Sequence, residues 1–527
     1  MPARKFWILL LCLAPIAATA QQHFDIILKH GKIIDGSGNP WFYGDVGIVK
    51  NKIVSVGDLS KDKATQTIDA TGLIIAPGFI DVHTHIEGDE KKTPTADSFI
   101  YDGVTSVITG NCGSSNTDIK AYFTDLEKNP LSINVGTLIG HNDVRKTVLG
   151  EEMKAPSAAQ LLQMQRVVEQ AMRDGAMGFS TGLIYAPGMY SKTGEVVALA
   201  KAAAKYKGIY TSHMRNESDK IFEAINEAIS IGREANMPVE ISHFKVGRPN
   251  WNKSDQMIAM VEQARKEGLD VTVDQYPYTA SSTTLNVLIP DWVLDGGHKA
   301  AVKRINDPAI HSKIVAEMVQ DMTRRDRTSF DYAVVAHCDN DSTLNGKNIE
   351  QINALKGRPN TIPDQIETIL DITRIGGASM VFHGMNEDDV VNIMKYPLTM
   401  VASDSGIRLF GFGVPHPRGY GTNARVLGYY VREKNVLRLE DAIRKMTSLP
   451  AQKFRLTGRG LLQPGMFADV VVFDADKVID NSTYERPHAF SSGFKYVLVN
   501  GKLTVDNFKH NGTRNGAILH GPGYISN

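Results

Sequence analysis

Eight short apolar segments, separated by helix-like stretches, run through the middle of this sequence. Each is typical of a buried strand, and residues 157–174 between two of them show the 3.6-residue apolar spacing of a helix. Strands that alternate with helices form parallel sheets, so the predicted class is α/β, and eight such units predict a (β/α)8 TIM barrel. The eight strand candidates are LIIAPGFIDVHTH, GVTSVITGNCG, INVGTLIGHND, GAMGFSTGL, GIYTSHMRNE, PVEISHFKVG, LDVTVDQYPY and LTMVASDSG.

Both ends of the chain differ from the middle, because their sequence patterns are typical of β-strands joined by turns. Residues 24–76 contain alternating apolar residues and turns such as DGSG, and similar segments, ADVVVF and FKYVLVNG, return near the other end. Neither end is large enough to bury a good core alone. We therefore expect residues 21–76 and 456–527 to pair into one small β-sandwich domain, which leaves residues 77–455 as the barrel.

A long interval, at about residues 290–378, separates the seventh and eighth strand candidates. It contains its own β-like run, FDYAVVAH. Structureless loops of this length are uncommon in compact domains. The interval is therefore predicted to be an insertion between the last two barrel strands that lies over the mouth of the barrel.

The N-terminal sequence MPARKFWILLLCLAPIAATAQQ has basic residues, an apolar run and an A-x-A pattern, in that order. This predicts a signal peptide of residues 1–20, cleaved after Ala20, and an exported protein in the periplasm of a Gram-negative bacterium. A lipoprotein site at Cys12 is the less favoured alternative, because bulky residues rather than a small one precede it. The run is too short for a membrane anchor, and no other segment resembles one.

The overall charge of the chain is balanced. Lys+Arg and Asp+Glu both number 58, so the formal net charge is zero. Bulk charge therefore indicates neither a nucleic acid nor a membrane surface as partner.

The strand candidates end in residues that are capable of chemistry. In a barrel, the carboxyl ends of all eight strands meet on one face, where catalytic groups lie. A single buried histidine is more often a satisfied core residue than a ligand, but core histidines need no common end. The pattern therefore favours a metal site on this face. The residues are His83, His85, Cys112, His141, Ser180, His213, His243, Tyr276 and Asp404.

Zinc fits these side chains best, because imidazole nitrogen and thiolate sulfur suit Zn²⁺ and a carboxylate can complete the sphere or act as a base. Bound Zn²⁺ acidifies water and polarises a carbonyl group, so amide hydrolysis is the natural reaction class. The competing interpretation of Cys112 is a disulfide with Cys338. Against it, Cys112 lies in GNCGSS, where flanking glycines open the backbone toward a ligand.

Over nearly the whole mature chain, the sequence resembles the amidohydrolase superfamily and, within it, the N-acyl-D-amino-acid deacylases (D-aminoacylases). His-x-His is shared across the superfamily, whereas GNCG together with GFSTGL and YPY is more specific. In hydantoinase-like relatives a carboxylated lysine bridges two metals; the fourth strand candidate here has no lysine, and the cysteine takes that part. The resemblance rests on APGFIDVHTH, GVTSVITGNCG, GHNDVR, GAMGFSTGLIYAPG, SHMRNE, ISHFK, DQYPYTASST, SDSG, HPRGYGT, RVLG and LQPGMFADVVVFD.

The resemblance implies two metal positions. One tightly bound zinc would be held by Cys112, His213 and His243, and a second, weaker position would consist of His83, His85 and Asp404. Asp404 would also be the general base, which takes a proton from the attacking water and delivers it to the leaving amine. The alternative for Asp404 is a helix N-cap, since ASDSG also fits a strand-to-helix turn.

The resemblance also implies a site for the α-carboxylate of the substrate. Arg418 would bind it through its planar guanidinium, with Lys245, Tyr276 and Ser282 lining the pocket. The alternative for Arg418 and Lys245 is ordinary solvated surface charge. His141, His337 and His383 are left out of the ligand set, because the resemblance gives them no metal role.

Two departures from the family pattern concern side-chain preference more than chemistry. The family usually has Ser-Asp-Gly at the base, whereas this chain has SDSG at 403–406. After His85 the family tends to an acidic pair, but here IEGD follows.

The activity implied is hydrolysis of an N-acyl-D-amino acid to a carboxylate and a free D-amino acid. A D-residue-specific dipeptidase and a cyclic-amide, hydantoinase-like hydrolase are alternatives on the same scaffold. A non-catalytic binding protein is less favoured, because all six site residues are present. The preferred acyl group and side chain, the number of metals and the oligomeric state cannot be predicted from the sequence.

Overall fold

The computed structural model describes residues 23–525. The predicted signal peptide lies outside the described residues. Within them, no helix combines the length and the apolar character needed to cross a bilayer.

The strands and helices follow one another along the whole described chain. The strands are β1 (His23–Ile33), β2 (Phe42–Val49), β3 (Lys52–Gly57), β4 (Lys63–Asp69), β5 (Ile74–Pro77), β6 (Phe79–Asp81), β7 (Val104–Thr109), β8 (Asn134–Thr137), β9 (Ile139–Gly140), β10 (Gly178–Gly182), β11 (Ile209–His213), β12 (Val239–Ile241), β13 (Val271–Gln275), β14 (Ala280–Thr284), β15 (Ala333–His337), β16 (Ser379–His383), β17 (Thr399–Val401), β18 (Val470–Phe473), β19 (Phe494–Val499), β20 (Lys502–Asp506) and β21 (Lys509–His510). The α-helices are α1 (Asp97–Ile100), α2 (Ile119–Lys128), α3 (His141–Leu149), α4 (Ala158–Arg173), α5 (Thr193–Ala204), α6 (Ile221–Ala235), α7 (Ser254–Lys266), α8 (His298–Ile305), α9 (Pro308–Arg324), α10 (Ile349–Leu355), α11 (Ile362–Arg374), α12 (Glu387–Lys395), α13 (Arg418–Arg425), α14 (Leu439–Met446) and α15 (Ser448–Lys453).

The central strands pair in parallel and alternate with helices. Their order is β6-β7-β8 in one sheet and β9-β10-β11-β12-β13-β17 in another. Only Leu138 separates β8 from β9, and its N–H donates to the carbonyl oxygen of Thr109 at the end of β7 (2.9 Å). Each of the eight predicted segments contributes to these two sheets, so the α/β class expected from the sequence is confirmed.

The largest apolar core lies between these strands and the helices around them. Phe179, Val239 and Val271 from the strands pack in one cluster with Val168 from α4 and Ile225 from α6. Helix α4 begins where the sequence predicts, because Ser157 and Gln160 form a capping box that satisfies the first backbone N–H groups.

The first predicted strand is in fact two strands in two different sheets. β5 pairs with β1 and β18, whereas β6 pairs with β7. The chain changes sheet at Gly78, whose N–H donates to the carbonyl oxygen of Asp469 (2.9 Å). A Cβ at Gly78 would clash with the side chain of Thr105, so only glycine fits this close approach.

The two ends of the chain meet in one nine-stranded sheet. Its order is β21-β20-β19-β18-β5-β1-β2-β3, with β4 parallel to β1. One face of this sheet is a small apolar core that joins Ile33, Val46 and Ile75 from the N-terminal part to Val470 and Leu498 from the C-terminal part. Neither part buries this core without the other.

A third, antiparallel sheet has the order β14-β16-β15. It shares a separate apolar core with α8, α9, α10 and α11, in which Leu285, Ile314, Ile369 and Met380 are buried. β15 coincides with the predicted FDYAVVAH run. β14 lies before the predicted 290–378 interval and β16 lies directly after it. The two strands pair with each other along their whole length, so the sheet extends beyond the interval at both ends.

Candidate metal centre

All six predicted metal ligands lie close together at the carboxyl ends of five parallel strands. His83 and His85 follow β6, Cys112 follows β7, His213 ends β11, His243 follows β12 and Asp404 follows β17. They form two groups whose ligand atoms lie within 4.8 Å of one another, and Cys112 belongs to both. The groups are Cys112, His213 and His243, and His83, His85, Cys112 and Asp404.

The donor atoms of the first group converge on one point. Cys112 Sγ lies 3.5 Å from His213 Nδ1 and 3.6 Å from His243 Nε2, and these two nitrogens are 2.8 Å apart. All three residues are buried. Two imidazole nitrogens and one sulfur without bulk water are a suitable donor set for a borderline divalent cation such as Zn²⁺.

The second group places a carboxylate next to the histidine pair. Asp404 Oδ1 lies 3.2 Å from His85 Nε2 and 3.6 Å from His83 Nε2, and His83 Nε2 lies 3.2 Å from Cys112 Sγ. Burial alone would raise the pKa of Asp404, but the Arg418 guanidinium and the neighbouring imidazoles hold it well below its usual range. Asp404 is therefore ionised and able to bind a cation.

Three of the six residues have a left-handed backbone. The φ angles are 52° at Cys112, 36° at His243 and 50° at Asp404. Residues other than glycine rarely adopt this region, and such strain is concentrated at functional sites. The backbone is crowded there as well, since a Cβ at Gly182 would clash with the carbonyl oxygen of Cys112.

Sequence reasoning missed Glu217, which supports the first group. Its Oε1 lies 2.6 Å from Lys245 Nζ and 3.0 Å from His243 Nδ1, and its Oε2 lies 3.5 Å from His213 Nε2. Burial alone would raise the pKa of Glu217, but Lys245 and the two histidines lower it below its ordinary value. Such a carboxylate fixes the orientation of both imidazoles.

Asp274 was missed in the same way. Its Oδ2 lies 3.1 Å from His83 Nδ1, and its Oδ1 accepts the backbone N–H of His243 (2.8 Å). In each of the buried histidines His83, His213 and His243, the ring nitrogen that faces away from the cluster thus lies next to a carboxylate oxygen. Glu217 lies four positions after His213 in SHMRNE, and Asp274 lies two positions before Tyr276 in DQYPYTASST, so nearness to a predicted site residue was the available signal.

The four residues predicted to bind substrate lie beside the metal ligands. Arg418 Nη1 is 2.8 Å from Asp404 Oδ2, its Nη2 donates to the carbonyl oxygen of Ser282 (3.1 Å), and its guanidinium covers the ring of Tyr276 at 4.6 Å. The Lys245 ammonium lies 5.9 Å from the centre of the same ring. Arg418 is 4% exposed, so it is not ordinary surface charge.

The hydroxyl group of Tyr276 is buried and has no hydrogen-bond partner within residues 23–525. Burial raises its pKa well above the ordinary value, which keeps it protonated and able to donate. A buried donor without a partner costs free energy, so this hydroxyl group fits an acceptor supplied by a ligand.

Two cavities open from the metal ligands, with Tyr185, Ser282, Thr283 and Asp404 lining both. We call the first the Lys245 cavity; its volume is about 150 Å³. We call the second the Arg408 cavity; its volume is about 430 Å³. The Lys245 cavity is also lined by His213, His243, Glu217, Tyr276, Leu288, Tyr332, Phe382 and Met385, and the Arg408 cavity by His85, Asp89, Cys112, His337, Phe412, His416 and Arg418.

The other cysteine and the three omitted histidines lie outside both ligand groups. Cys112 and Cys338 are free thiols, so the alternative disulfide is not formed. His141 Nε2 lies 2.9 Å from Glu195 Oε1, and His337 Nε2 lies 2.9 Å from Asp339 Oδ1. His383 packs against the ring of Tyr484.

The chain matches known proteins over most of its length. A model of the amidohydrolase family (Amidohydro_3) matches residues 66–505. The N-acyl-D-glutamate deacylase of Alcaligenes xylosoxydans is 35% identical over 504 residues, which cover 91% of this chain and 93% of the relative. The D-aminoacylase of the same organism is 32% identical over 522 residues, covering 94% and 98%.

A solved structure also resembles this chain closely. It is the crystal structure of N-acyl-D-glutamate deacylase from Bordetella bronchiseptica, complexed with zinc and a phosphonate inhibitor that mimics the tetrahedral intermediate of the reaction. The TM-score is 0.82 at 33% identity, and the match covers 95% of this chain and all of that one.

Proposed function

The chain belongs to the amidohydrolase family, and on this premise we propose that it hydrolyses N-acyl-D-amino acids to a carboxylate and a free D-amino acid with the help of a bound metal ion. The observation that carries the proposal is the convergence of Cys112, His213 and His243 on one buried point, with Asp404 in the adjoining ligand group that shares Cys112 and is paired with a buried arginine. The related deacylases support the substrate class, because both act on acylated D-amino acids by name.

The metal is proposed to be zinc. Cys112, His213 and His243 would hold one ion tightly, and His83, His85 and Asp404 would form a weaker second position. The donor set supports this, as does the zinc in the related Bordetella bronchiseptica structure. When bound, zinc supplies Lewis acidity toward a carbonyl oxygen and makes water more acidic.

Proton transfer is assigned to Asp404. The carboxylate is ionised and lines both cavities, so an amide bound where they meet would lie beside it. It would take a proton from the attacking water and return it to the leaving amine nitrogen, which leaves the enzyme unchanged after one turnover. Glu217 and Asp274 take no part in this transfer, because they bind the far nitrogens of the histidines.

The α-carboxylate of the substrate is assigned to the space between Lys245, Tyr276, Ser282 and Arg418. Two cations and an unpartnered hydroxyl group surround this space, and charge-assisted hydrogen bonds to a carboxylate are among the strongest in proteins. The apolar walls of the Lys245 cavity, which include Leu288 and Phe382, would accept an apolar side chain.

For the scaffold, we propose that the eight parallel strands close into a (β/α)8 barrel. Thr84 and Ser405, just beyond the first and last of these strands, form a parallel bridge that supports closure. The sheet built from both chain ends would be the small β-sandwich domain, and the β14–β16 region the insertion. The signal peptide and the periplasmic location stay predictions from the sequence.

The proposed function is tested by assaying the zinc-loaded protein on N-acetyl-D-methionine, N-acetyl-L-methionine, a D-dipeptide and a 5-substituted hydantoin. We expect turnover of the D-substrate and at least a hundredfold lower kcat/KM for its L-enantiomer. Hydantoin turnover alone would favour a cyclic-amide hydrolase, and turnover of the dipeptide alone a dipeptidase. Bound zinc without hydrolysis of any of these amides would favour a binding protein.

A further inference from the structure

The Arg408 cavity contains a cation that the proposed reaction does not use. Arg408 lines this cavity, and its Nε is buried without a hydrogen-bond partner. Among residues 23–525, no carboxylate oxygen lies within 4.0 Å of its guanidinium nitrogens, and the side chain makes no hydrogen bond. A charge that has lost much of its water and has no partner is costly, so it fits an anionic ligand.

The Arg408 cavity also contains an acidic side chain without a partner among the described residues, that of Asp89. Asp89 lines it, and its carboxylate makes no hydrogen bond or ion pair with any residue that the structure describes. Burial raises the pKa of Asp89, and the guanidinium of Arg408 acts against this shift. The two opposite charges are therefore close enough to interact, yet too far apart to form a direct ion pair.

A neighbouring glycine, which has no side chain, provides the space that each of these two side chains occupies. A Cβ at Gly406 would clash with Asp89 Oδ2, and a Cβ at Gly419 would clash with Arg408 Nε. The backbone of Arg408 is fixed as well, because its N–H donates to Ser98 Oγ (3.1 Å). The positions of the two charges are thus set by two segments of the chain, the one after β6 that contains Asp89 and the one after β17 that contains Gly406, Arg408 and Gly419.

The other ionisable groups of this cavity already have partners. Arg418 is paired with Asp404, and His337 with Asp339. His416 donates to the carbonyl oxygen of Ala280 (2.9 Å), and burial together with Arg418 lowers its pKa well below the usual value, so it is neutral. Asp89 and Arg408 remain as the two charges of this cavity that have no partner among the described residues and no part in the proposed reaction.

We propose that the Arg408 cavity binds an acyl group that itself carries an ammonium and a carboxylate, that is, an amino acid joined to the D-residue through its side-chain carboxyl group. Asp89 would bind the ammonium and Arg408 the carboxylate. This inference rests on the proposed function. The reaction is the same hydrolysis: the amide C–N bond breaks, the hydroxyl of water goes to the acyl carbon, and its proton goes to the amine of the D-amino acid.

The test uses four acyl groups that differ only at their fourth carbon, each attached to D-methionine. They are butanoyl (uncharged), 4-aminobutanoyl (ammonium), glutaryl (carboxylate) and γ-glutamyl (both). With the zinc-loaded enzyme, we expect the γ-glutamyl substrate to have the highest kcat/KM, at least tenfold above the butanoyl substrate, and the singly charged ones to lie between. Equal values, or a butanoyl substrate that is best, would overturn the proposal.

Variants assign the two contacts. Arg408→Met is expected to lower the γ-glutamyl value to that of 4-aminobutanoyl, and Asp89→Asn to lower it to that of glutaryl, whereas Arg408→Lys keeps part of the gain. The matched controls are Arg438→Met and Asp441→Asn, an exposed pair on the outside of the molecule. A loss by the same factor on all four substrates would mean that Arg408 acts on their common part, which overturns the proposal.

Failure of the proposed function would look different. In that case N-acetyl-D-methionine and all four substrates would remain intact. If N-acetyl-D-methionine is hydrolysed and the charged acyl groups bring no gain, only the inference about Asp89 and Arg408 is wrong.

Discussion

Arg418, the first residue of α13, and Asp404, which follows the last parallel strand fourteen positions earlier, form a buried ion pair with Nη1 and Oδ2 at 2.8 Å. The pair connects the proposed carboxylate-binding group directly to the proposed proton acceptor. Removal of one charge would leave the other buried without its partner, which is costly. A substrate carboxylate that binds Arg418 therefore arrives within reach of the group that acts on the adjacent amide.

The first prediction concerns recognition of the α-carboxylate. Arg418→Met is expected to lower kcat/KM for N-acetyl-D-methionine by about tenfold to hundredfold, because charge-assisted hydrogen bonds are lost. N-acetyl-D-methioninamide, which has no carboxylate, should already be a poor substrate of the wild-type enzyme and should lose far less. Steady-state kinetics on both substrates measure this. Asp404 loses its partner with both substrates, so carboxylate binding is measured by the additional loss on the acid; an equal loss on acid and amide would contradict carboxylate binding by Arg418.

The second prediction concerns the metal. Dialysis against a chelator should remove activity, and Zn²⁺ should restore it and raise the unfolding temperature, since a ligand that binds only the folded state stabilises it. Cys112→Ser should be purified with clearly less zinc than the wild-type protein, as measured by elemental analysis. Cys338→Ser is the matched control, because Cys338 lies in the separate apolar core beside the β14–β16 sheet and outside both ligand groups. Full zinc content in the Cys112 variant would exclude Cys112 as a ligand.

The third prediction concerns Glu217, which contacts His213, His243 and Lys245. Glu217→Gln keeps the size of the side chain but removes its charge, so the two imidazoles are oriented less firmly. We expect zinc affinity to fall about tenfold to hundredfold, measured by competition with a chromophoric chelator. Glu223→Gln, an exposed change on the following helix α6, is the control. Unchanged zinc affinity in Glu217→Gln would show that this carboxylate does not support the metal ligands.

Sequence patterns were sufficient to predict the alternating strands and helices in the middle of the chain. Every predicted central strand is present, since short apolar runs between amphipathic helices have few other ways to be buried. The change of sheet at Gly78 could not be predicted, because it depends on contacts with Asp469 and Thr105, which are distant in the sequence. For the same reason, the β14–β16 pairing and its bounds became visible only in the structure.

The candidate site also contains some residues that the sequence predicted and others that it did not. His83, His85, Cys112 and Asp404 stand at strand ends in recognisable motifs, so their meeting was predictable from the topology. Glu217 and Asp274 were not distinguished from other acids, because their role depends on which imidazole nitrogen they face. The unpaired charges of Asp89 and Arg408 were also invisible, since a sequence does not show which charges lack a partner.

The last prediction concerns backbone strain at Cys112, whose φ of 52° suits glycine better than any residue with a side chain. Cys112→Gly and Cys112→Ala both remove the sulfur, so a comparison of the two metal-free variants isolates the backbone. Cys112→Gly should be the more stable by about 1 kcal/mol, because alanine at positive φ retains the strain. At Cys338, which lacks a positive φ, the order should reverse, since glycine there only adds freedom to the unfolded chain. Urea unfolding of the four variants measures both differences, and the same order at both positions would mean that the left-handed conformation at Cys112 stores no strain.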